Sequence, residues 1–133
     1  MIVVLDYGMG NLRSVSKALE HLGAEVRVTS QASDLIRAEK VVLPGVGAFG
    51  DASRELHASG LFNPLIDYIR GGGLFLGICL GLQLLFDESE ESPGARGLGI
   101  FPGMVRLFRS PGVKVPHMGW NQVRLVKQHP LLA

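Results

Sequence analysis

The sequence has one cysteine, Cys79, and no apolar run that approaches the length of about 20 residues that a membrane span requires. A single cysteine excludes an intramolecular disulfide and a cysteine-rich zinc site, and it leaves either an inert buried thiol or a reactive one. Acidic and basic residues are interspersed and the formal net charge is +1, so there is no basic stripe for nucleic acid and no polybasic anchor for a membrane surface. No basic leader precedes the first apolar run, and we expect a cytoplasmic protein.

What the sequence does contain is typical of a packed globule. Apolar residues make up 47% and charged residues 19% of 133 residues, and the apolar ones form short clusters separated by glycine and proline. This length fits one domain, which we place at 1–133.

Apolar runs alternate with segments of helical spacing. The predicted strands are 2–6, 25–29, 40–44 and 74–78, and the predicted helices are 11–21, 51–57, 62–70 and 80–86. This alternation predicts a parallel sheet with helices on both faces. We expect the acidic segment 87–91 to be a solvated end or loop. The β-branched residues of 98–108 and 113–126 predict an additional β layer or hairpin.

Glycines stand two positions before and two positions after Cys79, at the junction of a predicted strand and helix. This is the layout of a nucleophile elbow, in which a sharp turn holds the nucleophile in a strained conformation. A helix that begins at Leu80 directs its first N–H groups toward the sulfur and favours the thiolate, the attacking form. The Leu80 N–H can also face the oxygen of a tetrahedral intermediate. These neighbours favour the reactive thiol.

A second donor to that oxygen is expected from the glycine-rich loop that follows the strand 40–44. The segment 45–50 also matches G-x-G-x-x-G, so a dinucleotide-binding loop is the alternative. Such a loop requires an acidic residue about 20 positions later, at the end of the next strand. Ile69 and Arg70 occupy that place, and two predicted helices intervene. The context favours an oxyanion loop.

The elbow, as G-x-C-x-G-x-Q, resembles that of class I glutamine amidotransferases. Four more segments, in the same order along the chain, resemble the glutaminase subunits of imidazole glycerol phosphate synthase. They are Asp6-Tyr7-Gly8-Met9-Gly10-Asn11-Leu12-Arg13-Ser14-Val15, Leu43-Pro44-Gly45-Val46-Gly47-Ala48-Phe49-Gly50, Gly97-Leu98-Gly99-Ile100-Phe101-Pro102-Gly103 and Val115-Pro116-His117-Met118-Gly119-Trp120-Asn121.

The resemblance implies a flavodoxin-like domain that hydrolyses glutamine and passes ammonia to a cyclase subunit in a heterodimer. The cyclase forms imidazole glycerol phosphate and an aminoimidazole carboxamide ribotide in histidine biosynthesis. No metal or organic cofactor is implied.

The resemblance also implies roles for single residues. Cys79 forms the glutamyl thioester, and the backbone N–H groups of Leu80 and Val46 bind the oxyanion. Gly47 and Gln83 hold glutamine, although spacing alone makes Gln83 an ordinary polar helix position. The implied partner-facing residues are Asn11, His117, Met118, Trp120 and Asn121. By size alone, Trp120 would instead fill the core.

One part of the family pattern is missing. The family completes its triad with a His-x-Glu pair, and none of the four histidines here begins such a pair. His21 and His57 are expected at the surface, and His129 lies in an apolar tail. We therefore expect a chain cut within its domain, and one that is inactive alone.

Two other functions stay open. One is the glutaminase of another biosynthetic amidotransferase, such as that of anthranilate, guanylate or pyridoxal phosphate synthesis, although those lack the segment 116–121. The other is a non-catalytic amidotransferase-like module that binds a partner. The missing base favours this module, whereas a cysteine between those glycines opposes it.

Overall fold

The computed structural model describes residues 1–112 and 114–132, and its centre is a four-stranded parallel sheet. The strands are β1 (Ile2–Leu5), β2 (Val26–Thr29), β3 (Lys40–Leu43) and β4 (Leu74–Gly77), in the order β2-β1-β3-β4. The helices are α1 (Leu12–His21), α2 (Phe49–Ala58), α3 (Phe62–Arg70) and α4 (Leu80–Gln83), with a 3-10 helix at Ala32–Arg37. The predicted parallel α/β fold is confirmed.

The two central strands are buried on both faces, which explains why their sequences are continuous apolar runs. On one face, Val3 and Val41 join a core that includes Phe49 of α2 and Leu65 of α3. The opposite face is buried at Val4, and α1 packs against β1 and β2. The sheet therefore carries helices on both sides of a buried centre.

The strand order creates the crevice where ligands of such sheets bind. From β1 the chain crosses to β2 on one side and then to β3 on the other, so that β1 and β3 are neighbours whose following loops diverge. In open parallel sheets, ligands bind outside the carboxyl ends of the strands at such a switch point. The loop 6–11 follows β1, the loop 44–48 follows β3, and Cys79 lies just after β4, whose Gly77 pairs with Leu43.

The prediction for residues 80–91 was wrong in two respects. The helix ends at Gln83, and the segment expected to be a loop contains a strand, β5 (Phe86–Ser89). A later segment, 97–100, donates backbone N–H groups to the carbonyl oxygens of residues 84–87. The acidic side chains are also bound, since Asp87 accepts the N–H of Gly103 at 2.9 Å and Glu88 pairs with Arg96 at 2.7 Å. Long-range pairing thus overrides the local helical spacing.

The additional β layer is present, as a two-stranded sheet of β5 and β6 (Phe101–Val105). The two strands are parallel, so they form no hairpin. The β structure predicted for 113–126 was wrong over its described part, 114–126, which contains no strand; Val113 lies outside the described residues. Residues 106–112 and 114–132 are exposed, so no apolar surface organises an alternating pattern there. No helix in the described chain has the length and apolarity of a membrane span.

Candidate active site

Cys79 lies in a tight turn between β4 and α4, with a φ of 56° and a ψ of −114°. Apart from glycines, no other residue that the structure describes has a positive φ. A side chain in such a conformation costs about 1–3 kcal/mol, so the surrounding structure has to hold it there. The Cys79 side chain is exposed, and its thiol is therefore accessible from the crevice.

The glycines on both sides of Cys79 make this turn possible. A Cβ at Gly77 would lie 2.5 Å from the carbonyl oxygen of Gly81, and a Cβ at Gly81 would overlap the carbonyl oxygen of Leu43. The N–H of Ile78 also donates to that Leu43 oxygen at 3.0 Å. The elbow is thus fastened to the end of β3, and neither glycine has room for a side chain.

The first N–H of α4 is available to a ligand. The next three N–H groups of the turn donate to the carbonyl oxygens of Ile78 or Cys79 at 3.0–3.2 Å. The N–H of Leu80 has no acceptor among residues 1–112 and 114–132. Because α4 has only four residues, its dipole is weaker than that of the predicted helix, and a directed N–H is its main contribution.

The loop Pro44–Gly47 lies directly against the elbow. A Cβ at Gly45 would lie 2.8 Å from the Cβ of Leu80 and 2.9 Å from the backbone nitrogen of Gly81. Gly47 has a φ of +102°, which favours glycine. The N–H of Val46 has no acceptor in the part of the chain that the structure describes. The structure thus brings Val46 and Gly47 to the edge that carries Cys79 and Leu80.

The loop after β1 supports the loop after β3 from the other side. The hydroxyl of Tyr7 is buried and donates to the carbonyl oxygen of Pro44 at 2.9 Å. A Cβ at Gly10 would lie 3.1 Å from the Pro44 ring, and one at Gly47 would lie 2.8 Å from Cε of Met9. Burial raises the pKa of Tyr7, and negative charge at the neighbouring Cys79 raises it further. Tyr7 is therefore a neutral hydrogen-bond donor beside Cys79.

Gln83 lies one turn beyond Cys79, and its N–H donates to the Cys79 carbonyl oxygen at 3.2 Å. Its side chain lines an open cavity of about 460 Å³ with polar residues of the β5 and β6 ends. One of these, Glu91, accepts the N–H of Phe49 at 3.0 Å, and Ser92 accepts the N–H of Gly50 at 2.9 Å. These two side chains hold the start of α2, which begins two residues after Gly47.

Sequence reasoning assigned no role to Tyr7, Glu91 or Ser92. Tyr7 stands in a segment that carries the family resemblance, directly after β1, and this position at the carboxyl edge was the available signal. Glu91 and Ser92 had no such signal, because their partners lie 42 residues away in the chain.

The residues with an implied partner-facing role are all exposed, in two separate places. Asn11 caps α1, where its Oδ1 accepts the N–H of Ser14 at 3.3 Å. In the second segment, His117 and Asn121 share a hydrogen bond of 3.0 Å between Nε2 and Nδ2. The side chain of Trp120 is fully exposed, at 105% of its reference area, so it does not fill the core. No hydrogen bond within 1–112 and 114–132 joins Asn11 to this segment.

The described histidines are spread over the molecule. His21 ends α1, and His57 stacks on Phe62 and bonds through Nδ1 to the carbonyl oxygen of Ser53 at 2.8 Å. His129 contacts its own turn, where Nδ1 accepts the N–H of Leu131 at 3.2 Å. None has a hydrogen bond to Cys79 in the described residues. The same residues contain no group of three or more side chains arranged to hold a metal ion.

Comparison with known proteins adds a family and several relatives. The model of the family "Glutamine amidotransferase class-I" matches residues 3–132. The chain is 50% identical over 139 residues to the imidazole glycerol phosphate synthase subunit HisH of Syntrophotalea carbinolica, with 98% of this chain and 66% of that protein covered. For the subunit of the same name from Methanothermobacter thermautotrophicus, the identity is 52%, with coverages of 99% and 65%. The chain thus spans about two thirds or less of these relatives' length.

Longer proteins and solved structures also match. The chloroplastic imidazole glycerol phosphate synthase hisHF of Arabidopsis thaliana is 45% identical over 133 residues, which are 22% of its length. A crystal structure of a glutamine amidotransferase superposes with a TM-score of 0.69 at 22% identity, covering 80% of this chain and 56% of the other. The structural likeness shows the fold alone.

Proposed function

Because the chain belongs to the class I glutamine amidotransferase family, we propose that it carries the nucleophile and oxyanion site of a glutaminase. The glutaminase would serve imidazole glycerol phosphate synthase in histidine biosynthesis. The observation that carries the proposal is the backbone of Cys79, held at positive φ by Gly77 and Gly81 against the loop Pro44–Gly47.

The chemistry follows from this arrangement. The Cys79 sulfur attacks the side-chain amide carbon of glutamine, a C–S bond forms, and the carbonyl oxygen takes the negative charge. The N–H groups of Leu80 and Val46 stabilise that oxygen, an interaction that strengthens as the charge develops. Collapse expels ammonia, for which a proton donor is required, and water then releases glutamate from the thioester. Gly47 and Gln83 hold the substrate in this scheme.

The acceptor of the ammonia is a cyclase subunit, in a heterodimer that we place in the cytoplasm. The names of the relatives favour this acceptor over that of other biosynthetic amidotransferases. The exposed segment 116–121 supports it, because an exposed tryptophan flanked by polar groups is typical of an interface anchor. Direct docking would keep free ammonia from escaping.

Labelling tests the nucleophile and separates the glutaminase from a non-catalytic module. A glutamine-derived electrophile should modify the chain at Cys79 alone, by mass spectrometry of its peptides, and Cys79→Ala should remove the label. Iodoacetamide, which has no glutamine part, measures the intrinsic accessibility of the thiol. If the ratio of the two rates at Cys79 is no higher than their ratio with free cysteine, and an excess of glutamine does not slow the analogue, the site binds no glutamine and the proposal is wrong.

Turnover of glutamine itself should be negligible for the 133-residue chain. No His-x-Glu pair lies within it, and general acid–base help is typically worth about 10²- to 10⁴-fold. Glutamate release by this chain at a rate of a complete glutaminase would show that another residue supplies the proton, with His117 the first to examine.

A further inference from the structure

The hydroxyl of Tyr7 makes a buried contact that the proposed chemistry does not yet use. It donates to the carbonyl oxygen of Pro44 at 2.9 Å, across 37 positions of the chain. The Tyr7 side chain is only 3% exposed. A buried hydroxyl needs a partner, but many residues could have satisfied one. Here the partner belongs to the loop that lies against the nucleophile.

The position of the Pro44 carbonyl controls the next part of the loop. Its oxygen belongs to the peptide between Pro44 and Gly45, and the peptide that follows carries the N–H of Val46. The proline ring fixes φ at Pro44, so holding its carbonyl oxygen also fixes the direction in which the loop leaves β3. The main backbone rotation left in the loop is then at Gly45. The Tyr7 hydroxyl also lies close to this residue, since a Cβ at Gly45 would lie 2.7 Å from the hydroxyl oxygen.

The Tyr7 hydroxyl also keeps its proton, so it stays a hydrogen-bond donor. Burial raises its pKa, and negative charge at Cys79 acts in the same direction. The hydroxyl therefore keeps its proton when Cys79 is a thiolate. A phenolate at this place would repel both the Pro44 carbonyl oxygen and the developing oxyanion.

We infer that Tyr7 is a positioning residue for the oxyanion site: its hydroxyl holds the Pro44 carbonyl so that the Val46 N–H faces the tetrahedral intermediate formed on Cys79. This inference rests on the proposed function and goes beyond it, because Tyr7 touches neither substrate nor sulfur in the scheme above. Phenylalanine would fill the same space and leave the loop free to turn.

Acylation by an activated substrate isolates this effect. With a γ-glutamyl p-nitrophenyl ester, the Cys79 sulfur bonds to the acyl carbon while the bond to p-nitrophenolate breaks, and p-nitrophenolate leaves with its electron pair. The leaving group needs no proton, so the 133-residue chain can be used as it is. The rate of the p-nitrophenolate burst measures acylation, and its amplitude counts the competent molecules.

Tyr7→Phe should slow the burst about tenfold, less than the about 10²- to 10³-fold loss expected when an oxyanion donor is removed outright. Alkylation of Cys79 by iodoacetamide, a displacement that forms no oxyanion, should keep its rate. The matched control is Tyr68→Phe, which removes a hydroxyl bonded to the carbonyl oxygens of Ala38 and Leu74 at 3.4 and 3.3 Å. It should leave the burst rate unchanged.

A second variant covers the case in which Tyr7→Phe does not fold. With 4-aminophenylalanine at position 7, the ring keeps an N–H donor at the same place and the burst rate should stay near that of the unmodified chain. A burst in Tyr7→Phe as fast as in the unmodified chain overturns the inference alone, as does a slow burst with 4-aminophenylalanine. The inference is also overturned if Tyr7→Phe slows the ester reaction and the iodoacetamide reaction equally, or if Tyr68→Phe slows the burst as much as Tyr7→Phe does. An unmodified chain without a burst overturns the proposed function, and the inference with it.

Discussion

Cys79 stands in a backbone conformation that its own side chain opposes. The side chain is exposed and packs in no core, so the positive φ is imposed from outside, by the close approach of Gly77 to Gly81 and of Gly81 to Leu43. Strain of this kind persists only where the surrounding structure over-determines it. The strain places the sulfur at the carboxyl edge of the sheet.

This strain should be measurable with two variants that both lack the thiol. Cys79→Ala keeps a Cβ at the positive φ, whereas Cys79→Gly removes it, so Cys79→Gly should have the higher free energy of unfolding. The strain relieved is about 1–2 kcal/mol, and the greater freedom of glycine in the unfolded chain offsets about 0.4–1 kcal/mol of it. Urea unfolding followed by circular dichroism gives the difference. Equal stability of the two variants would mean that the strain is no larger than this offset of about 0.4–1 kcal/mol, and a less stable Cys79→Gly would mean that the turn holds still less.

At the start of α2, the first backbone N–H groups are bound by side chains from a distant part of the chain. Its N-cap residue, Ala48, has no side chain that can accept a hydrogen bond. Glu91 and Ser92 accept the N–H groups of Phe49 and Gly50 instead, and Ser53 donates to the carbonyl oxygen of Arg96 at 2.6 Å. The segment after β5 thereby holds the start of α2 and, with it, the end of the loop Pro44–Gly47.

Ser92→Ala should lower the free energy of unfolding by about 0.5–2 kcal/mol, the range found when an N-cap acceptor is removed. The buried start of the helix would lose the acceptor of one N–H and gain none. Chemical unfolding measures the loss. The matched control is Ser33→Ala, at an exposed serine whose hydroxyl has no hydrogen bond among the described residues. An equal loss in the two variants would show that Ser92 is no cap.

At the scale of the described chain, 1–112 and 114–132, the C-terminal part differs from the rest in leaving its apolar side chains outside the core. The core lies between the sheet, α2 and α3, whereas large apolar residues in 107–112 and 114–126 are exposed, including Phe108, Met118, Trp120 and Val123. Large apolar side chains that stay exposed along one segment are candidates for protein contact. Within the proposed function, that contact is the cyclase subunit.

Trp120→Ala should weaken binding to the cyclase subunit by about 2 kcal/mol, close to 30-fold in the dissociation constant, if the ring is a hot spot. The melting temperature of the free chain should stay the same, because a fully exposed ring contributes no burial. Calorimetric titration with the cyclase measures the affinity, and Val126→Ala, also exposed and outside the segment 116–121, is the control. Unchanged affinity together with a lower melting temperature would assign Trp120 to folding.

Much of this architecture could be predicted from local patterns. The apolar runs of β1 and β3 and the glycines around Cys79 were sufficient for the parallel sheet and the elbow, because strand period, helix period and turn residues are properties of neighbouring positions. The same holds for the loop Pro44–Gly47, whose glycines indicate a backbone that packs closely against a neighbouring segment.

Only the tertiary structure decided which distant groups complete these elements. Residues 86–89 form a strand because the segment 97–105 pairs with them. Their acidic side chains, taken alone, predicted a solvated loop. The hydrogen bonds of Tyr7 to Pro44 and of Ser92 to Gly50 join positions 37 and 42 residues apart. No local sequence period encodes such pairs, because each depends on how distant segments of the chain pack together. The same packing places the loop Pro44–Gly47 against Cys79.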